Sequence, residues 1–124
     1  MKRQSVLIVE DDSAIRELYQ TALTEAGLEV QVAQTGAAGV ETALSFHPNV
    51  ILMDIMLPDM NGHKAVEKIR LDNWGRTAKI IFLTNRSDAE DVVQAVALGS
   101  DEYIIKAHTT PKELVNQVRA VAEM

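Results

Sequence analysis

Val50-Ile51-Leu52-Met53-Asp54 is the stretch on which the fold turns. Four apolar residues in succession, with no polar alternation, read as a strand covered on both faces, as a central parallel strand must be. The run stops at a carboxylate, and Pro58, Asp59, Asn61 and Gly62 follow as loop punctuation. In an open α/β sheet ligands bind outside the carboxyl ends of the strands, so Asp54 stands where chemistry is usually done. An isolated aspartate after a strand more often just begins a loop. The remaining strands decide between the two.

Upstream, Val6-Leu7-Ile8-Val9 is a second fully apolar strand that also ends in acid, at Glu10, Asp11 and Asp12. Ile15, Leu18, Tyr19, Ala22, Leu23 and Ala26 then recur at helical spacing, and Gly27 closes that helix. Asp12 reads as a first-turn acid favoured by the helix dipole. Glu29–Ala33 is a short strand, and Thr35-Gly36 opens a small-residue helix ended by His47-Pro48. Downstream, Gly62–Leu71 reads as a helix packing Val66 and Ile69, and Asp72–Ala78 as a polar connection. Ile80-Ile81-Phe82-Leu83 is a buried strand ending in Thr84. Ser87-x-x-Glu90 is a capping box ahead of a helix that Gly99 stops. Tyr103-Ile104-Ile105 is the last strand, ending in Lys106, and Thr110-Pro111-Lys112-Glu113 starts the last helix with a cap, an early proline and a glutamate three residues on.

Strand and helix thus alternate five times, which predicts an α/β fold: one doubly wound, five-stranded parallel sheet with helices on both faces. At 124 residues the chain reads as one domain, 1–124, with no linker, repeat or second domain in view. There is no cysteine, and the five aromatic residues leave the core to Val, Ile, Leu and Ala. Twelve basic against eighteen acidic residues give a formal charge of −6, which disfavours direct nucleic-acid binding. No apolar run approaches a membrane span, and Val6–Val9 is too short for a signal-peptide core, so a soluble cytoplasmic protein is expected.

Four of the five strands deliver polar groups to one edge: Glu10/Asp11, Asp54, Thr84 and Lys106. Carboxylates gathered at close range raise one another's pKa unless a cation neutralises them. An all-oxygen donor set suits Mg²⁺, and the lack of thiolate and imidazole ligands argues against zinc. His47, His63 and His108 share no ligand spacing and read as surface residues, and Trp74 as a loop aromatic.

Val-Glu-Asp-Asp at 9–12, Leu-Met-Asp-Ile-Met-Leu-Pro-Asp-Met-Asn-Gly at 52–62, Phe-Leu-Thr at 82–84 and Asp-Glu-Tyr-Ile-Ile-Lys at 101–106 together resemble the response-regulator receiver domain of two-component signalling. The resemblance covers essentially the whole chain. It implies a flavodoxin-like (βα)5 fold with strand order 2-1-3-4-5. It implies that Asp54 is the phospho-acceptor, attacking a phosphohistidine as a carboxylate nucleophile. Asp11 would bind Mg²⁺ directly, Glu10 mainly through water, with Asp54 and the Met56 backbone carbonyl completing the protein ligands. Thr84 would hydrogen-bond a phosphoryl oxygen and Lys106 would pair first with Asp54, then with the phosphoryl group. Tyr103 would be the aromatic whose ring follows a shift of Thr84. The implied partners are a sensor histidine kinase or phosphotransfer protein, and a downstream target or phosphatase met on the face formed by the fourth helix, last strand and last helix. Such a domain is no enzyme beyond assisting its own phosphorylation and dephosphorylation. The competing readings are a phosphate-independent interaction module with a vestigial site, and an aspartyl-phosphate phosphatase or mutase, which would want an acid where Met56 stands.

Two positions depart from the family pattern. Ala107 follows Lys106 where the family usually has a cis-bonded proline. A cis peptide is expected to persist there, although a non-proline cis bond costs about 2.5–4 kcal/mol. Asn85 follows Thr84 where Ala, Ser or Gly is usual, and should narrow access to the phosphoryl group. Arg86 and Met56 flank the site and are expected to tune its lifetime.

Overall fold

The computed structural model describes residues 3–85, 97, 99, 102–106 and 109–124. The helix expected from Ser87, Arg86, His108 and the Lys106–Ala107 peptide lie outside the described residues. Strands β1 (Ser5–Val9), β2 (Glu29–Ala33), β3 (Val50–Asp54), β4 (Ile80–Thr84) and β5 (Glu102–Ile105) form one parallel sheet in the order β2-β1-β3-β4-β5. Helices α1 (Ser13–Glu25), α2 (Gly36–Phe46), α3 (Gly62–Arg70) and the C-terminal helix (Pro111–Ala122) cover its two faces. This is the flavodoxin-like strand order that the resemblance implies.

Alternation along the strands divides the core in two. Val6, Ile8, Val50, Leu52, Ile81, Leu83 and Ile104 point to the side of α1 and the C-terminal helix, where Tyr19, Leu23, Leu114 and Val118 meet them. Leu7, Val9, Ile51, Met53, Ile80 and Phe82 point to the side of α2 and α3, against Ala43, Val66 and Ile69. Both faces are covered, so β1, β3 and β4 need apolar residues at every position, which is why they read as unbroken runs. Each fully buried Leu, Ile or Phe contributes about 1.5–3 kcal/mol. Edge strand β2 is half-solvated and alternates instead.

The helix ends follow the sequence signals. Thr35 and Thr110 cap their helices, the latter with both bonds of a capping box to Glu113. Gly27 takes the left-handed conformation just past α1, at φ +93°. His47 does the same after α2 at φ 51°, a conformation that is uncommon outside glycine but in which histidine, with Asn and Asp, is enriched.

Two local expectations, for Asp12 and His63, need correction, and two, for the polar connection and Trp74, gain detail. Asp12 is the N-cap of α1, accepting from the Ile15 amide at 3.1 Å, not a first-turn residue. The polar connection contains a 3-10 turn, Trp74–Thr77, held by Arg70, which donates to the carbonyls of Gly75 and Ala78. His63 is buried rather than on the surface: it occupies the second position of α3, and its ring tilts against Phe82 at 4.6 Å. Trp74 packs on the α2/α3 core and stacks on His47, with ring centroids 4.5 Å apart, so it closes the bottom of that layer.

Candidate functional site

Glu10, Asp54 and Lys106 continue the alternation of Ile8, Leu52 and Ile104, so all three side chains leave their strand ends on the α1 side of the sheet. There they meet. Lys106 Nζ lies 3.3 Å from Asp54 Oδ2 and forms a closer ion pair with Glu10 Oε1. The expected Lys106–Asp54 pair is therefore present but shared, and Glu10 is its nearer member. Glu10 is fully buried, Asp54 and Lys106 nearly so, and Asp11 is exposed at the rim. Burial pushes the Glu10 carboxyl above the usual carboxylate range, and its hydrogen bond and charge repulsion with Asp54 add to the rise against the pull of Lys106. Burial alone would lower the Lys106 ammonium. Its contact with Glu10 and the charge of Asp54 outweigh that and hold it above the usual lysine value.

The backbone around these side chains is held tightly. Arg16, one turn into α1, donates to the carbonyls of Glu10 at 2.9 Å and Asp11 at 3.3 Å. The Asp12 amide donates to Glu10 Oε2 at 3.2 Å, and the Met56 amide to Asp54 Oδ1 at 3.2 Å. After Met56 the chain arches and returns to β3. The Gly62 amide donates to the Ile55 carbonyl at 2.7 Å, and Met56 bridges to Asn61. A Cβ on Gly62 would lie 2.2 Å from the Asp54 carbonyl oxygen, so only glycine permits that return.

An open cleft of about 200 Å³ results, lined by Glu10, Asp11, Asp12, Ile15, Asp54, Met56, Asn85 and Lys106. Glu10, Asp11 and Asp54 each offer it a carboxylate oxygen, and the three lie within 4.8 Å of one another. That donor set fits Mg²⁺: hard oxygens, one rim ligand and room for water. Thr84 is buried at the end of β4, between β3 and β5, and opposes Ile105 in the register. Tyr103 opposes Phe82 and packs on the α2/α3 core, half-buried. Asn85 stands exposed at the mouth of the cleft, and the Met56 side chain is 61% exposed on its lip.

Of the residues singled out in the sequence, Glu10, Asp11, Asp54, Met56 and Lys106 line the cleft, whereas Thr84 and Tyr103 are not among its lining residues. Two residues that shape it carried no sequence signal. Arg16 offered only a helical position one turn after an acidic run. Asp59, an exposed residue of the β3–α3 arch, accepts from the amides of Gly36 and Ala37 on α2. Its partners lie more than twenty positions away, so no local pattern marks it.

The sequence profile of the response regulator receiver domain matches residues 6–119, and the chain belongs to that family. Among curated relatives it is 36% identical over 118 residues to the DNA-binding response regulator MtrA of Mycobacterium tuberculosis, covering 95% of this chain and 50% of the relative. It is 31% identical over 121 residues to the probable transcriptional regulator ycf27 of Porphyridium aerugineum, covering 98% and 49%. The chain thus spans about half the length of these relatives. Among solved structures, a CheY-like receiver domain protein of Methanospirillum hungatei superposes with a TM-score of 0.91 at 30% identity, covering 98% and 95% of the two chains. The receiver domain of a sensor histidine kinase from Pseudomonas aeruginosa, with magnesium coordinated in its active-site cleft, superposes with a TM-score of 0.89 at 27% identity, covering 99% and 100%. Receiver domains are signalling modules that bind Mg²⁺ at an acidic pocket and interact with histidine kinases and downstream effectors. Among the described residues, no helix is long and apolar enough to cross a membrane.

Proposed function

We propose that this receiver domain accepts a phosphoryl group on Asp54 in a Mg²⁺-dependent reaction and uses it to switch a protein-interaction face. The observation that carries the reading is the convergence of Asp54 with Glu10, Asp11 and the Lys106 ammonium at one strand edge. An Asp54 carboxylate oxygen attacks the phosphorus of a phosphohistidine on a sensor kinase or phosphotransfer protein. The new P–O bond forms as the P–N bond breaks, and the imidazole leaves with the electron pair and takes a proton from solvent. Glu10, Asp11, Asp54 and the Met56 carbonyl would hold Mg²⁺, which when bound neutralises charge on the phosphoryl oxygens.

Lys106 is poised to move from its carboxylate partners to a phosphoryl oxygen, since forming the acyl phosphate removes one negative charge from Asp54 and adds the phosphoryl charge beside it. The Thr84 hydroxyl takes another phosphoryl oxygen, and Tyr103 follows on the same sheet face. A downstream target or phosphatase would read the face that includes β5 and the C-terminal helix. The charge of −6 supports output through protein contact rather than direct contact with nucleic acid. The domain turns over no outside substrate and assists only its own phosphorylation and hydrolysis. Incubation with Mg²⁺ and a small acyl phosphate, followed by intact-protein mass spectrometry, should show one added phosphoryl group, lost in Asp54→Asn or with chelator. An unmodified wild-type protein would instead favour the phosphate-independent interaction module.

A further inference from the structure

We propose that Asp59 is a positioning residue for the phosphoryl site: a latch that ties the β3–α3 arch to the start of α2 and so keeps Met56 and the Asp54 carboxylate in place. Its functional arm rests on the reading of Asp54 given above.

The first amides of any α-helix have no acceptor within the helix. In α2, Thr35 takes the Ala38 amide at 3.1 Å and leaves those of Gly36 and Ala37. Asp59 takes both, one with each carboxylate oxygen, at 2.8 and 2.9 Å. Two parallel bonds fix the direction of the carboxylate as well as its distance. The next residue packs down behind it: a Cβ on Gly36 would fall 2.4 Å from Met60 Cγ, so arch and helix are as close as a glycine allows.

Leu57 and Met60 also pack the arch on the α2/α3 core. The base of the arch is closed by the Gly62–Ile55 hydrogen bond and the Met56–Asn61 bridge, both within the arch. The Asp59 bonds tie its crown to a separate element. Met56 belongs to the base, and its amide orients Asp54 Oδ1. With the crown released, Met56 can drift, and Asp54 loses the amide that aims it.

Three variants and two readouts test this. Amide hydrogen exchange at Met56 in the metal-free protein reads the latch directly, and calorimetric titration with Mg²⁺ reads its consequence. Asp59→Ala should speed Met56 exchange and weaken Mg²⁺ binding by about tenfold, the lower end for residues that orient metal ligands. Asp59→Asn, which keeps one acceptor oxygen, should restore most of both. Thr35→Ala removes a cap from the same helix without touching the arch and should leave both unchanged. Wild-type exchange and affinity in Asp59→Ala would overturn the proposal, as would losses of equal size in Thr35→Ala. The exchange arm needs no metal, so a wild-type protein that takes neither Mg²⁺ nor a phosphoryl group would refute the role of Asp54 while the latch is still decided.

Discussion

Lys106 carries the charge balance of the site. It is the ammonium that lets two carboxylates, Glu10 and Asp54, share a nearly dry pocket. Lys106→Met should cost about 3 kcal/mol at neutral pH, because removing one partner of a buried pair strands the other charges. The loss should shrink in acid, where Glu10, held above the usual carboxylate range, takes up a proton, and urea unfolding at the two pH values measures both. Asn85 makes a different kind of contribution. It stands at the cleft mouth rather than in the charge cluster, so Asn85→Ala should leave Mg²⁺ affinity alone and speed loss of the phosphoryl group. About threefold is expected, equivalent to about 0.65 kcal/mol off the barrier, read as the decay of phosphorylated protein after donor removal. The charged residues at the strand ends were legible in the sequence because each follows an apolar run that fixes its place. What the sequence could not supply was the order of preference at Lys106. Which carboxylate lies nearer depends on how β1, β3 and β5 are splayed at their ends.

Elements whose signals are local were read almost to the residue. Glu29–Ala33 and Val50–Asp54 keep their boundaries, and the capping box at Thr110 forms as its spacing implied. His63, Trp74 and Asp59 were misread or passed over because their partners come from other elements: Phe82 on β4, His47 after α2 and the amides that open α2. The β3–α3 arch shows how tightly such partners constrain an element. Gly62→Ala drives a Cβ into the Asp54 carbonyl and should destabilise by about 2–3 kcal/mol. A variant that still folds should bind Mg²⁺ poorly, since the carbonyl that moves belongs to Asp54. Asp59 also links this arch to pH. Its bonds from Ala37 and Gly36 hold its carboxyl below the usual aspartate range. A depressed carboxylate contributes stability that is fully present above its unfolded pKa and lost as pH falls through the folded one. The stability gap between wild type and Asp59→Asn should therefore be constant around neutrality and close in acid, as urea titrations across pH will show.

Across the whole molecule, a sheet covered on both faces leaves its carboxyl edge free, and the chain places its polar strand ends there. Three carboxylates in one cleft of a protein already at −6 make the metal-free state electrostatically uneven, and a divalent cation relieves it. Mg²⁺ at about 100 times its Kd should stabilise the fold by about 2.7 kcal/mol, seen as a higher Tm that chelator reverses and Asp11→Asn abolishes. The fold class followed from the alternation of strands and helices and needed no site. The function required the site, because one fold of this kind hosts many chemistries. The central claim is that Asp54, and no other residue of the acidic cluster, carries the phosphoryl group. Borohydride reduces an aspartyl phosphate to homoserine, so trapping after acyl-phosphate treatment with Mg²⁺, then peptide mass spectrometry, locates the acyl phosphate. Homoserine at position 54 alone is predicted; homoserine at position 11 instead, or at no position, would contradict the account.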